Sequence, residues 1–310
     1  MSVAQPAVTA VVRDAAPLRG YLFGLVGVAI WAGWAVLTRM DMRGHMAVTD
    51  LVALRFATAG LVLLPVLVKK GLPFRQLGVF GILGLAGGAG APYVLLGAGG
   101  HAYAPVSHSG VLICCGVPLA TAVLARFTLG ERFTARRLVG YGLILTAAVV
   151  LLVESGLAAP TGDNVLIGDA MFVVSALFWA TYTVLARRFG LDPLHTTAIV
   201  AVVSATLYLP IYLLVLTPHV DTLSWGQIAT QAGFQGIVTS IVSLLCFSTA
   251  ISYLGASRTA ALSALVPATS VLLAMPVLGE WPGLWESAGL VLGTIGVALA
   301  SGAIGGGAKR

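Results

Sequence analysis

Long apolar runs alternate with short polar clusters along nearly the whole chain. Reading those runs between charges and Gly/Pro/Asp turns predicts ten helices, over about 20–38, 49–68, 77–99, 105–127, 137–153, 167–187, 194–216, 226–252, 257–278 and 285–303. Most approach the roughly 20 residues that cross a bilayer. The eighth run is too long for a perpendicular crossing and is expected to tilt or lie partly in the interface. The connections are short, so no sizeable domain outside the membrane is expected. The pattern is that of an all-α, ten-helix membrane protein.

Composition sharpens this. Of 310 residues, 58% are apolar and 9% charged, where a soluble domain carries about 25% charged residues. So few charges cannot cover a water-facing surface, which excludes a soluble enzyme or a nucleic-acid binder. The net charge of +6 gains meaning from its placement. With a cytoplasmic N-terminus, fourteen Lys and Arg fall in inside segments, Arg39 and Arg43 fall outside, and Arg55 lies within the second run. Cytoplasmic loops carry such an excess, so both termini are predicted to be cytoplasmic. Residues 1–18 read as a disordered tail and 304–310 as a second tail. Cys114, Cys115 and Cys246 sit inside apolar runs, a spacing that suggests neither a disulfide nor a metal site. No cofactor is expected.

The chain repeats itself. Residues 20–39 align with 168–187 at an offset of 148, matching Gly20 with Gly168, Trp31 with Trp179 and Arg39 with Arg187. Residues 117–132 align with 266–281 at an offset of 149, matching Pro118 with Pro267 and the Leu-Gly-Glu at 129–131 with that at 278–280. Two ordered blocks at nearly one offset indicate a duplication, into halves 19–153 and 167–303 joined by an outside linker, 154–166. Each half has five spans, an odd number, so the second enters the membrane inverted. Inverted repeats are the signature of alternating-access transporters, whose site lies near the midplane between the halves.

Several residues are candidates for that site. Trp31 and Trp34 lie one turn apart on the first helix, and Trp179 and Tyr182 take the equivalent places on the sixth. Tyr93 follows Pro92 in a glycine-rich third helix, where proline frees a backbone carbonyl and glycine permits bending. Gln231, Gln235, Thr239 and Ser243 form one stripe on the eighth helix, suited to a partner helix or a wet cavity. Pro118 and Pro267 are candidate bending points. His101 and His108 flank the turn between helices three and four, as solvated loop residues or as an outer gate. All eleven acidic residues, including Asp50, Glu131, Glu154, Asp169, Glu280 and Glu286, fall in loops or near helix ends, and Arg55 is the charge clearly within a span. Without a deep carboxylate, downhill or weakly coupled movement is expected.

The stretch 250–267 (AISYLGASRTAALSALVP), the Val-Leu-Gly-Glu at 277–280 and the Gly-rich last helix resemble the drug/metabolite transporter superfamily, EamA-type branch. Pro118, the Leu-Gly-Glu-Arg at 129–132 and the Arg55-Phe56 pair fit it too, and the likeness runs from about residue 20 to 303. It implies two inverted five-helix halves in a bacterial inner membrane that export small metabolites and catalyse no reaction. Amino acids, aromatic or large apolar first, are the favoured substrates: aromatic walls suit the side chain, and Gln, Ser and Thr suit the amine and carboxylate. A drug or another metabolite of the superfamily is the alternative, and an intramembrane enzyme a remote one. Bilayer and substrate are the expected partners, nucleic acid is not, and the oligomeric state is open.

Overall fold

The computed structural model describes residues 8–44, 46–158 and 164–302. Ten helices follow in order: α1 (Val8–Arg43), α2 (Val48–Lys70), α3 (Phe74–Ala102), α4 (Val106–Thr128), α5 (Ala135–Ala158), α6 (Val165–Phe189), α7 (Pro193–Leu214), α8 (Trp225–Leu254), α9 (Ala256–Ser263 and Val266–Leu278) and α10 (Leu284–Ala300). Among the described residues nine helices are long and apolar enough to cross a membrane, and α10, with 17 residues, is the short one. α1 begins at Val8, so helix extends through residues expected to be a disordered tail. Residues 1–7, 159–163 of the predicted linker, and 303–310 with the predicted second tail lie outside the described residues.

Local chemistry starts the helices where the pattern predicts. Asp192 caps α7 by accepting the His195 N–H at 2.8 Å, with Pro193 in the first turn, where its missing donor costs nothing. Ser224 and Gln227 form a capping box at the start of α8. Large apolar side chains face outward, among them Phe80 at 91% exposure and Leu214 at 84%. On a soluble protein such a surface would aggregate; in a bilayer it meets acyl chains.

Packing follows a twofold rule. The first five helices form one repeat and the last five the other. α1 lies against α8 and α9, and in matching fashion α6 lies against α3 and α4. The pairs α2–α7 and α5–α10 are each formed by equivalent helices. This is the arrangement of two inverted repeats. Small residues bring the backbones together: a Cβ on Gly140 of α5 would lie 2.7 Å from the Gly296 carbonyl oxygen of α10, and one on Gly60 of α2 would lie 2.9 Å from Ala205 Cβ of α7.

The third and fourth helices of both repeats depart from α geometry at equivalent depths. α3 breaks at Gly90, and α8 runs as a π-helix over Ala232–Val242, which includes the equivalent position at an offset of 148. α4 carries a π segment at Gly110–Cys115, and α9 is interrupted between Ser263 and Val266. The π-helix also shortens α8, which accommodates the over-long eighth run. Only glycine fits the α3 break, because a Cβ at Gly90 would sit 2.0 Å from Ser204 Oγ and 2.1 Å from the Ala86 carbonyl oxygen. Pro92 does not kink a continuous helix; it opens the new segment after the break. Pro267 likewise opens the second segment of α9, and Pro118 follows the π segment of α4. Irregular backbone at membrane depth is tolerated only when protein or a cavity covers it. Here it concentrates where the repeats meet.

Candidate functional site

The polar centre of the bundle is Gln235 of α8, which is fully buried. Trp34 of α1 donates its indole N–H to Gln235 Oε1 at 3.0 Å, and Arg55 of α2 donates to the same oxygen at 3.2 Å. The Gln235 amide in turn reaches Thr38 Oγ1 at 3.4 Å. Gln231, Thr239 and Ser243 are buried on the same face, so the whole stripe turns inward. Gln231 donates to Asp41 of α1 at 2.7 Å, while the Thr239 hydroxyl has no partner among the described residues. Gly236 allows this approach, since a Cβ there would lie 2.6 Å from Thr58 Cβ of α2.

Arg55 is the unusual member. It is 8% exposed, its Nε has no hydrogen-bond partner, and no carboxylate among the described residues pairs with it. A buried charge is costly unless paired. The site offers a cation and asks for an anion.

Beside it lies an aromatic group. Tyr93, just beyond the α3 break, meets Trp179 of α6 with ring centroids 4.9 Å apart, and Trp179 meets Tyr182 at 5.3 Å. Trp34, Tyr93, Trp179 and Tyr182 belong to one apolar cluster with Phe178. Trp31 is separate: its ring packs on Phe247 of α8 at 4.9 Å. The structure thus links Trp34, Tyr93, Trp179 and Tyr182 to Gln235, buries Thr239 and Ser243 on the same stripe, and leaves Trp31 outside the aromatic cluster.

The histidines correct the sequence reading. Neither is a solvated loop residue: His101 is fully buried and His108 is 3% exposed. His101 lies in the last turn of α3 and His108 in the first turn of α4; His101 Nδ1 donates to the Gly97 carbonyl at 2.8 Å and its ring meets Phe172 of α6 at 4.9 Å. Asp50 and Asp169 lie near helix ends as expected, yet both are buried, and Asp50 accepts the Tyr212 hydroxyl at 2.6 Å. A place near a helix end therefore does not expose a carboxylate to solvent here. Arg39 and Arg43 belong to α1 instead of a loop, so Arg55 is not the lone charge within a span, and Arg39 is buried.

Arg39 also reveals a feature absent from the sequence reading. Its Nε donates to Glu280 at 2.7 Å, Arg43 joins the same oxygen at 2.8 Å, and the Val106 N–H reaches the other oxygen at 3.0 Å. Arg39 further donates to the His101 carbonyl. This latch ties α1 to the α9–α10 turn beside a recess of about 440 Å³. At the opposite end of the bundle Arg187 of α6 pairs with Glu131, after α4. The two latches are images of each other, since Arg39 aligns with Arg187 and Glu131 with Glu280. The signal was present in the repeat alignment, but pairing an arginine with a glutamate 241 positions away needs the fold. The latches differ in burial: side chains in the Arg39–Glu280 pair are 10% and 11% exposed, those in the Arg187–Glu131 pair 50% and 28%.

A two-repeat bundle with paired latches invites comparison with known proteins. A model of the EamA-like transporter family matches residues 18–153 and again 166–302, so each half carries the family unit. The chain is 28% identical over 297 residues to the uncharacterized transporter YyaM of Bacillus subtilis (strain 168), covering 90% of this chain and 93% of that one. It is 26% identical over 275 residues to a probable terminal-alkyne amino-acid exporter of Streptantibioticus cattleyicolor, covering 88% and 90%. A crystal structure at 21% identity, covering 91% of this chain and 96% of its own, shares the fold with a TM-score of 0.55. Family and relatives are transporters, not enzymes, which makes this a multi-pass integral membrane protein that handles small molecules. The chain belongs to the EamA-like transporter family.

Proposed function

We propose that the protein exports amino acids, aromatic or large apolar ones first, by alternating access across a bacterial inner membrane with both termini in the cytoplasm. The observation that carries the substrate reading is Arg55, a buried cation with no carboxylate partner among the described residues, bonded to the Gln235 oxygen that it shares with Trp34 of the Tyr93–Trp179 cluster. A substrate carboxylate would supply the missing charge, the amide and the Thr239 hydroxyl would take the amine, and the rings would cover an apolar side chain. One relative's description as an amino-acid exporter agrees. The mirrored latches support alternation, because exchanging the conformations of the two repeats would bury the exposed latch and expose the buried one.

Counterflow in liposomes tests this. Labelled L-phenylalanine should exchange, and Arg55→Gln should raise the half-saturating concentration by at least about tenfold, as expected for loss of a charged hydrogen bond of roughly 1.5–3 kcal/mol. Unchanged affinity in Arg55→Gln, or exchange of non-acidic solutes alone, would count against the reading.

A further inference from the structure

His108 is buried between two carboxylates. Its Nδ1 lies 2.7 Å from Asp169 Oδ1 and its Nε2 lies 3.1 Å from Glu286 Oε1. The Ser155 hydroxyl donates to the second Asp169 oxygen, the Ser107 hydroxyl donates to Glu286 Oε1 at 2.9 Å, and the Gly283 N–H reaches Glu286 Oε2 at 2.6 Å. A neutral imidazole has one N–H. It could satisfy one carboxylate and would turn a lone pair toward the other. Two donors require the doubly protonated ring, so this arrangement calls for one proton more than a neutral histidine carries.

The surrounding charges favour that proton. Asp169 faces the ring from α6 and Glu286 from α10, while Glu154 of α5 stands near Glu286 with a buried oxygen that has no partner. Glu280, after α9, accepts the Val106 N–H two residues away, and it already holds both Arg39 and Arg43 of α1. No Lys or Arg among the described residues forms an ion pair with Asp169, Glu286 or Glu154.

The cluster also joins the halves, with the ring on α4 of the first repeat and both carboxylates on α6 and α10 of the second. Opening this end would part them. It is one-sided as well: at offsets of 148 and 149 the equivalents of His108, Asp169 and Glu286 are Ala256 or Ser257, Tyr21 or Gly20, and Leu138 or Arg137, so the opposite end lacks the triad and the fold does not require it. We infer that His108, Asp169 and Glu286 form a proton-binding site, filled when this end is closed and emptied when it opens, which couples transport to proton movement. Coupling requires only that the proton bind the two conformations unequally. The inference rests on the function proposed above, adds an energy source to it, and takes the coupled alternative where the sequence reading expected downhill or weakly coupled movement.

Two measurements on the full chain test it. In nanodiscs, ¹⁵N-histidine spectra should show His108, assigned by difference from His108→Gln or, if that variant misfolds, from Asp169→Asn, with both ring nitrogens protonated at pH 7.5. Glu280→Gln, which frees the neighbouring latch, should lower its proton affinity at least fivefold, the low end of typical coupling between sites. A neutral His108 ring, or an affinity unmoved by Glu280→Gln, overturns the proposal, and neither reading needs a substrate. In liposomes, an imposed pH gradient should drive accumulation of labelled L-phenylalanine, and Asp169→Asn and Glu286→Gln should abolish it. Exchange that proceeds without gradient-driven accumulation overturns the coupling and leaves the substrate reading standing. Absence of any exchange overturns the substrate reading, and the spectra then decide the proton site.

Discussion

Substituting Glu280 by glutamine should open one end of the transporter. Glu280 accepts from Arg39 at 2.7 Å, from Arg43 at 2.8 Å and from the Val106 N–H at 3.0 Å. The Arg39 and Glu280 side chains are only 10% and 11% exposed, so they are largely out of water. Removing one partner of such a pair costs about 3–5 kcal/mol because the other charge stays buried. Glutamine keeps an acceptor for Val106, which places the cost near the low end, about 3 kcal/mol. In the open state water solvates Arg39, so the cost falls on the closed state alone. At about 1.4 kcal/mol per factor of ten, the opening equilibrium shifts by roughly a hundredfold. The counterpart, Glu131→Gln, breaks a pair whose side chains are 50% and 28% exposed; such pairs are worth about 0–1 kcal/mol, at most about fivefold. A cysteine in place of Ala274, which is 1% exposed and lines the recess beside Glu280, reports the opening. Its alkylation by a water-soluble maleimide in detergent should accelerate by up to about a hundredfold in Glu280→Gln and change little in Glu131→Gln. Equal acceleration in both variants would refute the inequality of the latches.

Three further outcomes are expected. Gly90→Ala should destabilise the protein and cut its yield, and Ser204→Ala should not rescue it, because the Ala86 carbonyl at 2.1 Å is backbone; thermal unfolding of the single and double variants checks this. Trp179→Ala should weaken phenylalanine binding by about 1–3 kcal/mol, whereas Trp31→Ala, whose ring packs on Phe247, should leave the half-saturating concentration near that of the wild type; counterflow kinetics compare the two. The Lys70 ammonium and then the His195 N–H hold the Asp192 carboxyl below its usual range. A lowered carboxylate stabilises the fold above its unfolded value of about 3.9 and loses that contribution as the pH falls through the folded value. Asp192→Ala should therefore cost about 1 kcal/mol near pH 7, a deficit that shrinks in acid, read from denaturation midpoints across the pH range.

Helices and repeat were legible in the sequence for a physical reason. A bilayer demands about 20 apolar residues per crossing, and duplication copies landmarks such as Trp31 and Trp179 at one offset. The inward turn of the Gln231–Ser243 stripe was legible too, because a polar row on an apolar helix cannot face lipid. What the sequence concealed depends on how helices approach one another. His101 looked like a loop residue because its burial arises from α6, whose Phe172 packs against the last turn of α3. Asp169 looked like an end-of-helix acid because only the approach of α4 to α6 brings His108 to it. Trp31 and Trp179 turn to equivalent helices, α8 and α3, but the rings they meet there differ, Phe247 for one and Tyr93 for the other, because the two repeats have diverged in sequence at those places.

The packing rule carries a consequence for how the protein is made. Its largest helix contacts all join the two repeats, from α1–α8 and α1–α9 through α2–α7 to α5–α10. When the ribosome has delivered only the first five helices, their main mating surfaces, including the Gly140 face of α5, have nothing to dock on. The nascent half must then wait in the bilayer, shielded by lipid or by the insertion machinery, until its partners in the second half, α10 of α5 among them, arrive. Two family units in one polypeptide therefore act as a single folding unit: the first completes its packing only once the second has been made, and a chain arrested after the first half would be an unfinished intermediate instead of a smaller transporter.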